Sequence, residues 1–329
     1  MFRTYRGFSH SVMGASHEKR GTVCQDSSDF RVHDGWCIAA AADGHGSKKH
    51  FRSDRGSSFA VKAAIDTIED FFGAAKDEKE FESIFTDRHD RIIKNIEKQI
   101  IYRWNGQVSR HLEENPVTDT ERSEFTEEEF EGIACESYYG TTLIAIVTCD
   151  SFSFGIQIGD GTAVAVYNDG RTAIPIGYEE SAPANVTASI CNRNAIAMFN
   201  SFYSEEKMIA LFASTDGLYT SFGSEYDFLD YHTIIASQLA DMETFETTIV
   251  KNLYKRSHYG TEDDISLSCI FDDELIRNRH EFLLEKVDDN RARAESRKAE
   301  QIANQAKQRL RERIRRNAES AAAAAEGAD

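Results

Sequence analysis

The order in which strand-like and helix-like segments follow one another constrains the fold of this chain most strongly. Three short apolar segments come first, then two long stretches of helical periodicity, a second group of apolar segments, one more helical stretch and a last strand. Alternating strand and helix units, which build doubly wound parallel sheets, would not be grouped in this way. The sequence therefore predicts an α+β sandwich with antiparallel sheets.

The individual segments are predicted from apolar periodicity and from the turn residues that bound them. The predicted strands are 8–13, 29–32, 36–42, 141–148, 153–159, 163–167, 195–202, 207–213 and 265–271. Helical spacing predicts a hairpin of two long helices at 51–72 and 81–104, and further helix at 226–253. The polar, acidic stretch 107–133 between these groups is expected to be an exposed excursion without a functional role.

The last part of the chain has the composition of a long helix. From Asp273 onward there is no proline, and no glycine until Gly327. We expect a domain at 1–272 followed by a charged helical tail at 273–329. Its apolar stripe (Ala303, Ala306, Leu310 and Ile314) is too thin for a heptad seam, which favours a solvated helix or one docked on a protein partner.

Composition excludes several classes of protein. The net charge of −18 argues against a nucleic-acid-binding surface, although ten lysines and arginines stand against three glutamates at 291–316. Neither 1–20 nor any later stretch has the apolar run of a signal or a membrane helix, so we expect a cytoplasmic protein with no membrane partner. The six cysteines are too scattered for a zinc site or a disulfide framework, which predicts reduced thiols.

Four aspartates stand at predicted strand ends or in turns, and they suggest a metal site. They are Asp26, Asp43, Asp216 and Asp263. Each alone could serve only turn geometry. If the strand ends converge, carboxylates without a Cys/His cluster would select Mg²⁺ or Mn²⁺, and two such ions can activate water for attack on phosphorus. Gly44 would let its carbonyl approach the same ion, and His45 could give a proton to a leaving oxygen.

Five motifs occur together in the order and spacing of one family. They are Asp43-Gly44-His45-Gly46, Tyr139-Gly140-Thr141-Thr142, Ile158-Gly159-Asp160-Gly161, Ser214-Thr215-Asp216-Gly217-Leu218 and Asp263-Asp264-Ile265-Ser266. In these motifs the chain resembles the metal-dependent type 2C serine/threonine protein phosphatases over roughly 8–272. The segments Gly14-Ala15-Ser16-His17 and Cys24-Gln25-Asp26 look like the bacterial branch of that family.

The resemblance implies a four-layer αββα sandwich of two antiparallel sheets flanked by helices, here with a C-terminal helical tail. It also implies two Mg²⁺ or Mn²⁺ ions and no organic cofactor. Asp43 would bridge both ions, and the Gly44 carbonyl would complete the shell of one of them. Asp216 and Asp263 would hold the other ion. Asp26 would bind metal-coordinated water, and His45 would be the general acid.

Three positions depart from the family pattern. Gln25 stands where an acidic residue is usual, so it would offer only an amide oxygen to the metal site. Arg20 is the nearest candidate for the arginine that grips phosphate, with His17 and Lys19 as rivals. A third ion would need an aspartate shortly before Gly140, where the sequence has Ser137 beside Glu136.

The resulting hypothesis is a protein phosphatase that hydrolyses phosphoserine or phosphothreonine in a protein, with water activated by two ions. One alternative is a pseudophosphatase that acts as a binding module through its tail. Another is a phosphatase of a small phosphorylated metabolite. The segment 174–192 is predicted to form a short flap over an open site.

Overall fold

The computed structural model describes residues 4–74, 78–177 and 187–326. Two five-stranded antiparallel sheets form its centre, as the resemblance implied. The strands are β1 (Tyr5–Val12), β2 (Ser27–His33), β3 (Trp36–Ala42), β4 (Leu143–Cys149), β5 (Ser153–Ile158), β6 (Thr162–Tyr167), β7 (Thr172–Ala173), β8 (Asn200–Ser204), β9 (Met208–Ser214) and β10 (Ile265–Asp272). One sheet has the order β1-β10-β9-β6-β7 and the other β2-β3-β4-β5-β8.

The helices of the described residues are α1 (Ala15–Arg20), α2 (Ser53–Gly73), α3 (Glu78–Glu114), α4 (Asp119–Ser123), α5 (Glu127–Glu131), α6 (Asp216–Thr220), α7 (Glu225–Gln238), α8 (Met242–Arg256), α9 (Asp273–Asn278) and α10 (His280–Glu326). Apolar side chains of α2 and α3 pack on one sheet, and those of α7 and α8 pack on the other. The α+β sandwich and the pair of long helices are confirmed.

Strand β3 shows why small residues occupy the middle of the sandwich. Ile38, Ala40 and Ala42 belong to the core beneath α2 and α3, whereas Ala39 and Ala41 belong to the core between the sheets. Since the strand is buried on both faces, alternation of polar and apolar residues is absent, and larger side chains would overpack the layers.

Two segment predictions were wrong in detail. The stretch 195–202 begins as the 3₁₀ turn Ala195–Ala197, and the strand starts only at Asn200. The stretch 226–253 is two helices, because Asp241 interrupts it and caps α8 through the backbone N–H of Thr244. A polar residue that accepts a hydrogen bond from the first turn of a helix is a strong start signal.

The excursion 107–133 is more ordered than its composition suggested. Helix α3 continues to Glu114, and α4 and α5 each begin with a capping box, from Thr118 and Thr126 respectively. Glu121 of α4 forms a bidentate ion pair with the buried Arg52. Nε of the arginine donates to Oε1 at 2.7 Å, and Nη2 donates to Oε2 at 2.9 Å. Phe130 also packs against the core beneath α2. Local polarity had concealed these tertiary contacts.

The chain divides into two compact units, Met1–Leu283 and Leu284–Asp329. The second unit continues α10, so the helical tail is confirmed. The side chains of Leu310 and Ile314, two members of the predicted stripe, lie outside the described residues, as do residues 178–186 of the predicted flap. All six cysteines are free thiols. Within the described ranges, no helix combines the length and the apolar character needed to span a membrane.

Candidate metal centre

A cavity of about 270 Å³ opens where the predicted motifs meet. Seven of the eight predicted site residues line it, namely Arg20, Gln25, Asp43, Gly44, His45, Asp216 and Asp263. The eighth, Asp26, is buried and bonded to Thr215, which directly precedes Asp216. The convergence expected from strand ends is therefore present.

Strand pairing explains why these residues meet. Ser27 at the start of β2 lies opposite Ala42 at the end of β3, so Asp26 and Asp43 emerge at the same edge. In the other sheet, Ser214 at the end of β9 lies opposite both Thr162 of β6 and Leu267 of β10. The residues just outside these strands, which include Asp160, Asp216 and Asp264, reach the same end of the sandwich.

The Asp43-Gly44 turn is held by the chain around it. The main-chain N–H of Asp43 donates to Thr142 Oγ1 at 3.0 Å, and its carbonyl accepts from Thr141 Oγ1 at 2.7 Å. A Cβ on Gly44 would lie 2.6 Å from the carbonyl oxygen of Ser53 and 2.7 Å from that of Gln25. Only glycine fits between these two backbone segments, which brings the main chain of residue 44 close to the cavity.

Asp160 is the site residue to which the sequence analysis gave no role. Carboxylate oxygens of Asp43, Asp160 and Asp216 lie within 4.8 Å of one another, a grouping that could hold a metal ion. Gly159 has φ of 103°, so glycine is required at the turn that presents Asp160. The motif Gly159-Asp160-Gly161 had supported the family resemblance, and its aspartate at a strand end was the signal available in the sequence.

Asp263 lines the cavity but is not part of this close group. One of its oxygens, Oδ1, accepts a hydrogen bond from the backbone N–H of Asp264 at 2.9 Å. The close carboxylate group thus contains Asp160 where the sequence analysis expected Asp263.

Neither residue considered near the third-ion position is among those that line the cavity. Ser137 instead lies in the 3₁₀ turn Cys135–Tyr139, and its carbonyl accepts a hydrogen bond from His50 Nδ1. Glu136, beside it, accepts from Cys135 Sγ. Neither Ser137 nor Glu136 therefore contributes to the cavity.

Asp26 has one satisfied oxygen and one without a partner. Oδ2 accepts from Thr215 Oγ1 at 2.7 Å, whereas the buried Oδ1 has no hydrogen-bond partner. A buried carboxylate oxygen without a donor is costly unless a water or an ion completes it. This orphaned oxygen fits the role of a group that bonds a metal-coordinated water.

Gln25 presents its side-chain oxygen to the cavity. Its Nε2 donates to Ser53 Oγ at 2.6 Å, with the amide orientation assigned from this hydrogen bond. Its Oε1 would lie 3.6 Å from a Cβ on Gly46, which also lines the cavity. The amide can therefore offer an oxygen, but no charge.

The carboxylates raise one another's pKa values. Burial, followed by repulsion from Asp160 and Asp263, raises the pKa of Asp216 to about 6. Burial and then the charge of Asp26 hold the pKa of Asp43 well above its ordinary value. Such buried like charges are unfavourable in isolation, and a divalent cation among them would reverse the effect.

His45 lies beside a second histidine, with ring centroids 5.0 Å apart. Burial, followed by the charges of His50 and Lys49, lowers the pKa of His45 to about 4. A Cβ on Gly140 would overlap the His50 ring and lie 3.1 Å from His45. The absence of a side chain at Gly140 therefore leaves the space that both rings occupy.

The two exposed basic candidates for phosphate binding make other contacts. Arg20 lines the cavity, but its Nε and Nη2 donate back to Ser16, at 3.1 and 3.2 Å. Lys19 does not line the cavity, and its Nζ donates to Glu262 Oε1 at 2.8 Å. The third candidate, His17, is buried and lines the cavity.

Comparisons with known proteins identify a family and a fold. The family model described as protein phosphatase 2C matches residues 13–254. A bacterial serine phosphatase structure has a TM-score of 0.50 at 13% identity, over 82% of this chain and 98% of that chain. Serine/threonine phosphatase Stp1 from Staphylococcus aureus has a TM-score of 0.50 at 12% identity, over 82% of this chain and 95% of that one. At such identities the likeness concerns the fold, and no curated protein matches the sequence.

Proposed function

The chain belongs to the protein phosphatase 2C family, a group of Mg²⁺- or Mn²⁺-dependent phosphoprotein phosphatases, and we propose that it hydrolyses phosphoserine or phosphothreonine in proteins with two such ions. The observation that carries the proposal is the close group of Asp43, Asp160 and Asp216, whose oxygens lie within 4.8 Å of one another. The orphaned Oδ1 of Asp26 supports it independently.

The donors around the cavity suit hard cations. The close group is made of carboxylates, and the Gln25 amide adds a neutral oxygen. Oxygen donors without thiolates or a histidine cluster favour Mg²⁺ or Mn²⁺ over Zn²⁺. When bound, the ions would neutralise phosphoryl oxygens and make a water more acidic.

Each site residue has a proposed part. Asp43 would hold both ions. Asp216 would bind one of them together with Asp160, and we retain Asp263 as a further ligand of that ion. The Gly44 carbonyl would complete the shell of the other ion. Gln25 would bind the other ion directly or through a water, and Asp26 would orient the attacking water through Oδ1.

We assign proton delivery to His45. With a pKa of about 4 in the absence of ligands, the ring is neutral at pH 7. An approaching phosphate dianion favours the imidazolium, because an opposite charge nearby stabilises the protonated ring. The ring could then protonate the seryl or threonyl oxygen as it leaves. Arg20 remains a proposed contact for the phosphate, provided that it exchanges its bonds to Ser16.

We place this activity in residues 1–272 and propose that the charged tail, 273–329, binds a protein partner. The tail's basic stretch 291–316 differs in charge from the acidic remainder of the chain. It would therefore favour an acidic partner surface.

The test is Mn²⁺-dependent hydrolysis of a phosphothreonine peptide by the full chain. Asp43→Ala and Asp216→Ala should lose the activity, since each removes a carboxylate from the close group. Asp34→Ala is the matched control, because this exposed aspartate lies in the turn at the opposite end of the β2–β3 pair.

Unchanged hydrolysis in the two site variants would overturn the proposal. Binding of Mn²⁺ by the wild type without hydrolysis would favour the pseudophosphatase. Hydrolysis of phosphometabolites but not phosphopeptides would favour the small-substrate enzyme.

A further inference from the structure

The helical turn before Asp26 carries a buried histidine that is bonded to a buried aspartate. His17 Nδ1 lies 2.9 Å from Asp264 Oδ2, and the two residues are 8% and 4% exposed. A histidine paired in this way with a carboxylate has its ring plane fixed, with Nδ1 directed at the carboxylate. The pair lies beside the carboxylate cluster, but the roles proposed above do not use it.

Asp264 also fixes the segment on which His17 is carried. Its Oδ1 accepts from the backbone N–H of Gly14, and its Oδ2 from the backbone N–H of Gln25, both at 2.6 Å. The two ends of the segment 14–25 are thus tied to one side chain. The backbone of Ser16 is held as well, because its N–H donates to the carbonyl oxygen of Glu262 at 3.0 Å. Because these hydrogen bonds hold the backbone on both sides of His17, the residue has few alternative positions.

Charge gives this position a chemical use. Among the described residues that line the cavity, the basic side chains are His17, Arg20 and His45, whereas the acidic ones are Asp43, Asp160, Asp216, Asp263 and Asp264. A phosphate entering such a cavity needs positive groups in addition to metal ions. Arg20 is exposed and donates to Ser16 of its own helix, and His45 directly follows the Asp43-Gly44 turn.

With Nδ1 committed to Asp264, the ring atom of His17 left for a ligand is Nε2. An imidazolium donates from both ring nitrogens, and Asp264 supplies the counter-charge for it. We propose that His17 is a phosphate-binding residue of this chain, with Nε2 donating to a non-bridging oxygen of the phosphoryl group, and that Asp264 is its positioning residue. This inference rests on the proposed function for its substrate.

Two substitutions separate binding from a purely structural role. Asparagine places its amide nitrogen where Nδ1 of histidine lies, so His17→Asn keeps a donor for Asp264 and removes the group that would meet phosphate. Glutamine places its amide nitrogen near Nε2, so His17→Gln keeps a neutral donor toward the cavity. If His17 has only a structural role, the asparagine variant should bind phosphate like the wild type and better than the glutamine variant. If His17 binds phosphate, the glutamine variant should bind it better than the asparagine variant.

The measurements are the binding of inorganic phosphate to the Mn²⁺-loaded full chain by calorimetry, and KM and kcat for a phosphothreonine peptide. His17→Asn should weaken phosphate binding and raise KM by about 10–100-fold, the scale of a lost charge-assisted hydrogen bond. His17→Gln should recover part of this loss. Lys19→Ala, on the same turn but bonded to Glu262, should match the wild type, and Mn²⁺ affinity should be the same in all four proteins.

Wild-type phosphate affinity in His17→Asn would overturn the inference, as would loss of Mn²⁺ binding in parallel with phosphate binding. Should the variant fail to fold, the ¹⁵N signal of His17 Nε2 in the wild type decides the matter. It should shift when phosphate is added to the Mn²⁺-loaded protein, and an unmoved signal would refute the assignment. A wild type that binds phosphate through His17 but hydrolyses no phosphopeptide would overturn the proposed function alone.

Discussion

Thr215 donates a hydrogen bond from Oγ1 to Oδ2 of Asp26 over 2.7 Å, and the same hydroxyl accepts from the backbone N–H of Ser266 at 2.9 Å. One buried side chain thereby joins the start of β2 to the strands β9 and β10 of the other sheet. The bond leaves Oδ1 as the free oxygen of Asp26. The orientation of that carboxylate is thus set by a residue that does not line the cavity.

Replacement of Thr215 by valine should therefore weaken the metal site without removing any proposed ligand. We expect Mn²⁺ affinity to fall by about 10–100-fold, the usual cost of losing a group that orients a metal-associated carboxylate. Titration calorimetry measures this directly. Thr215→Ser keeps the hydroxyl and should bind Mn²⁺ like the wild type, and equal affinity of the valine and wild-type proteins would contradict this role for the bond.

Gly44 and Gly46 provide a matched pair of substitutions in one turn. Gly44→Ala places a Cβ 2.6 Å from the Ser53 carbonyl oxygen, so the backbone must shift, and we expect a loss of about 1–3 kcal/mol of stability. Mn²⁺ binding should weaken because the carbonyl of residue 44 would move. Gly46→Ala meets only the Gln25 side chain, at 3.6 Å. Thermal unfolding with and without Mn²⁺ should separate the two variants, and similar melting temperatures would show that the turn tolerates the shift.

Metal binding should depend on pH around the raised pKa of Asp216. This carboxyl, with a pKa of about 6 in the metal-free protein, holds a proton below that pH, and the proton must leave when an ion binds. Mn²⁺ affinity should therefore fall as the pH decreases from 7 to 5, with protons released on binding near pH 6. Calorimetry in two buffers of different ionisation enthalpy counts these protons. Asp216→Asn should release fewer, and an unchanged count would show that another group titrates.

The raised pKa of Asp216 also links the metal to stability. A carboxyl whose pKa is higher in the folded than in the unfolded protein contributes stability below pH 3.8, and this contribution is lost as the pH rises through about 6. The metal-free protein should therefore be destabilised by this group at pH 7, and Mn²⁺ should relieve that effect. We expect a larger Mn²⁺-induced rise in melting temperature at pH 7 than at pH 5. An equal rise at both pH values would contradict the assignment of Asp216 as a ligand.

The ion pair between Arg52 and Glu121 should anchor the stretch 107–133 to the start of α2. Arg52→Met removes the arginine from Glu121, which is 24% exposed and keeps its hydrogen bonds from Thr118, so we expect a loss of about 1.5–3 kcal/mol. The arginine bonds lower the pKa of Glu121 to about 2, so the stabilisation is present above pH 4.5 and is lost as the pH falls toward 2. Urea unfolding at pH 7 and pH 3 tests both points. Glu113→Ala, an exposed change on α3, is the control.

Local sequence was sufficient where short-range patterns decide the structure. The alanine-rich strand β3, the long helices α2 and α3 and the tail helix follow from apolar spacing and composition. Sequence failed for 107–133, where the stabilising contacts are an ion pair and aromatic packing with residues far away in the chain. Polarity alone does not distinguish a solvated loop from a segment held by one buried charge pair.

The sequence by itself determined the family, the fold class and most of the residues around the cavity, because the motifs lie at strand ends and antiparallel pairing brings strand ends to common edges. Only the tertiary structure placed Asp160 with Asp43 and Asp216, turned Arg20 back onto Ser16 and set His17 against Asp264. These outcomes depend on register and burial between segments that are up to 247 residues apart. Distances of a few ångströms between such segments are fixed by packing of the whole sandwich, and no local pattern encodes them.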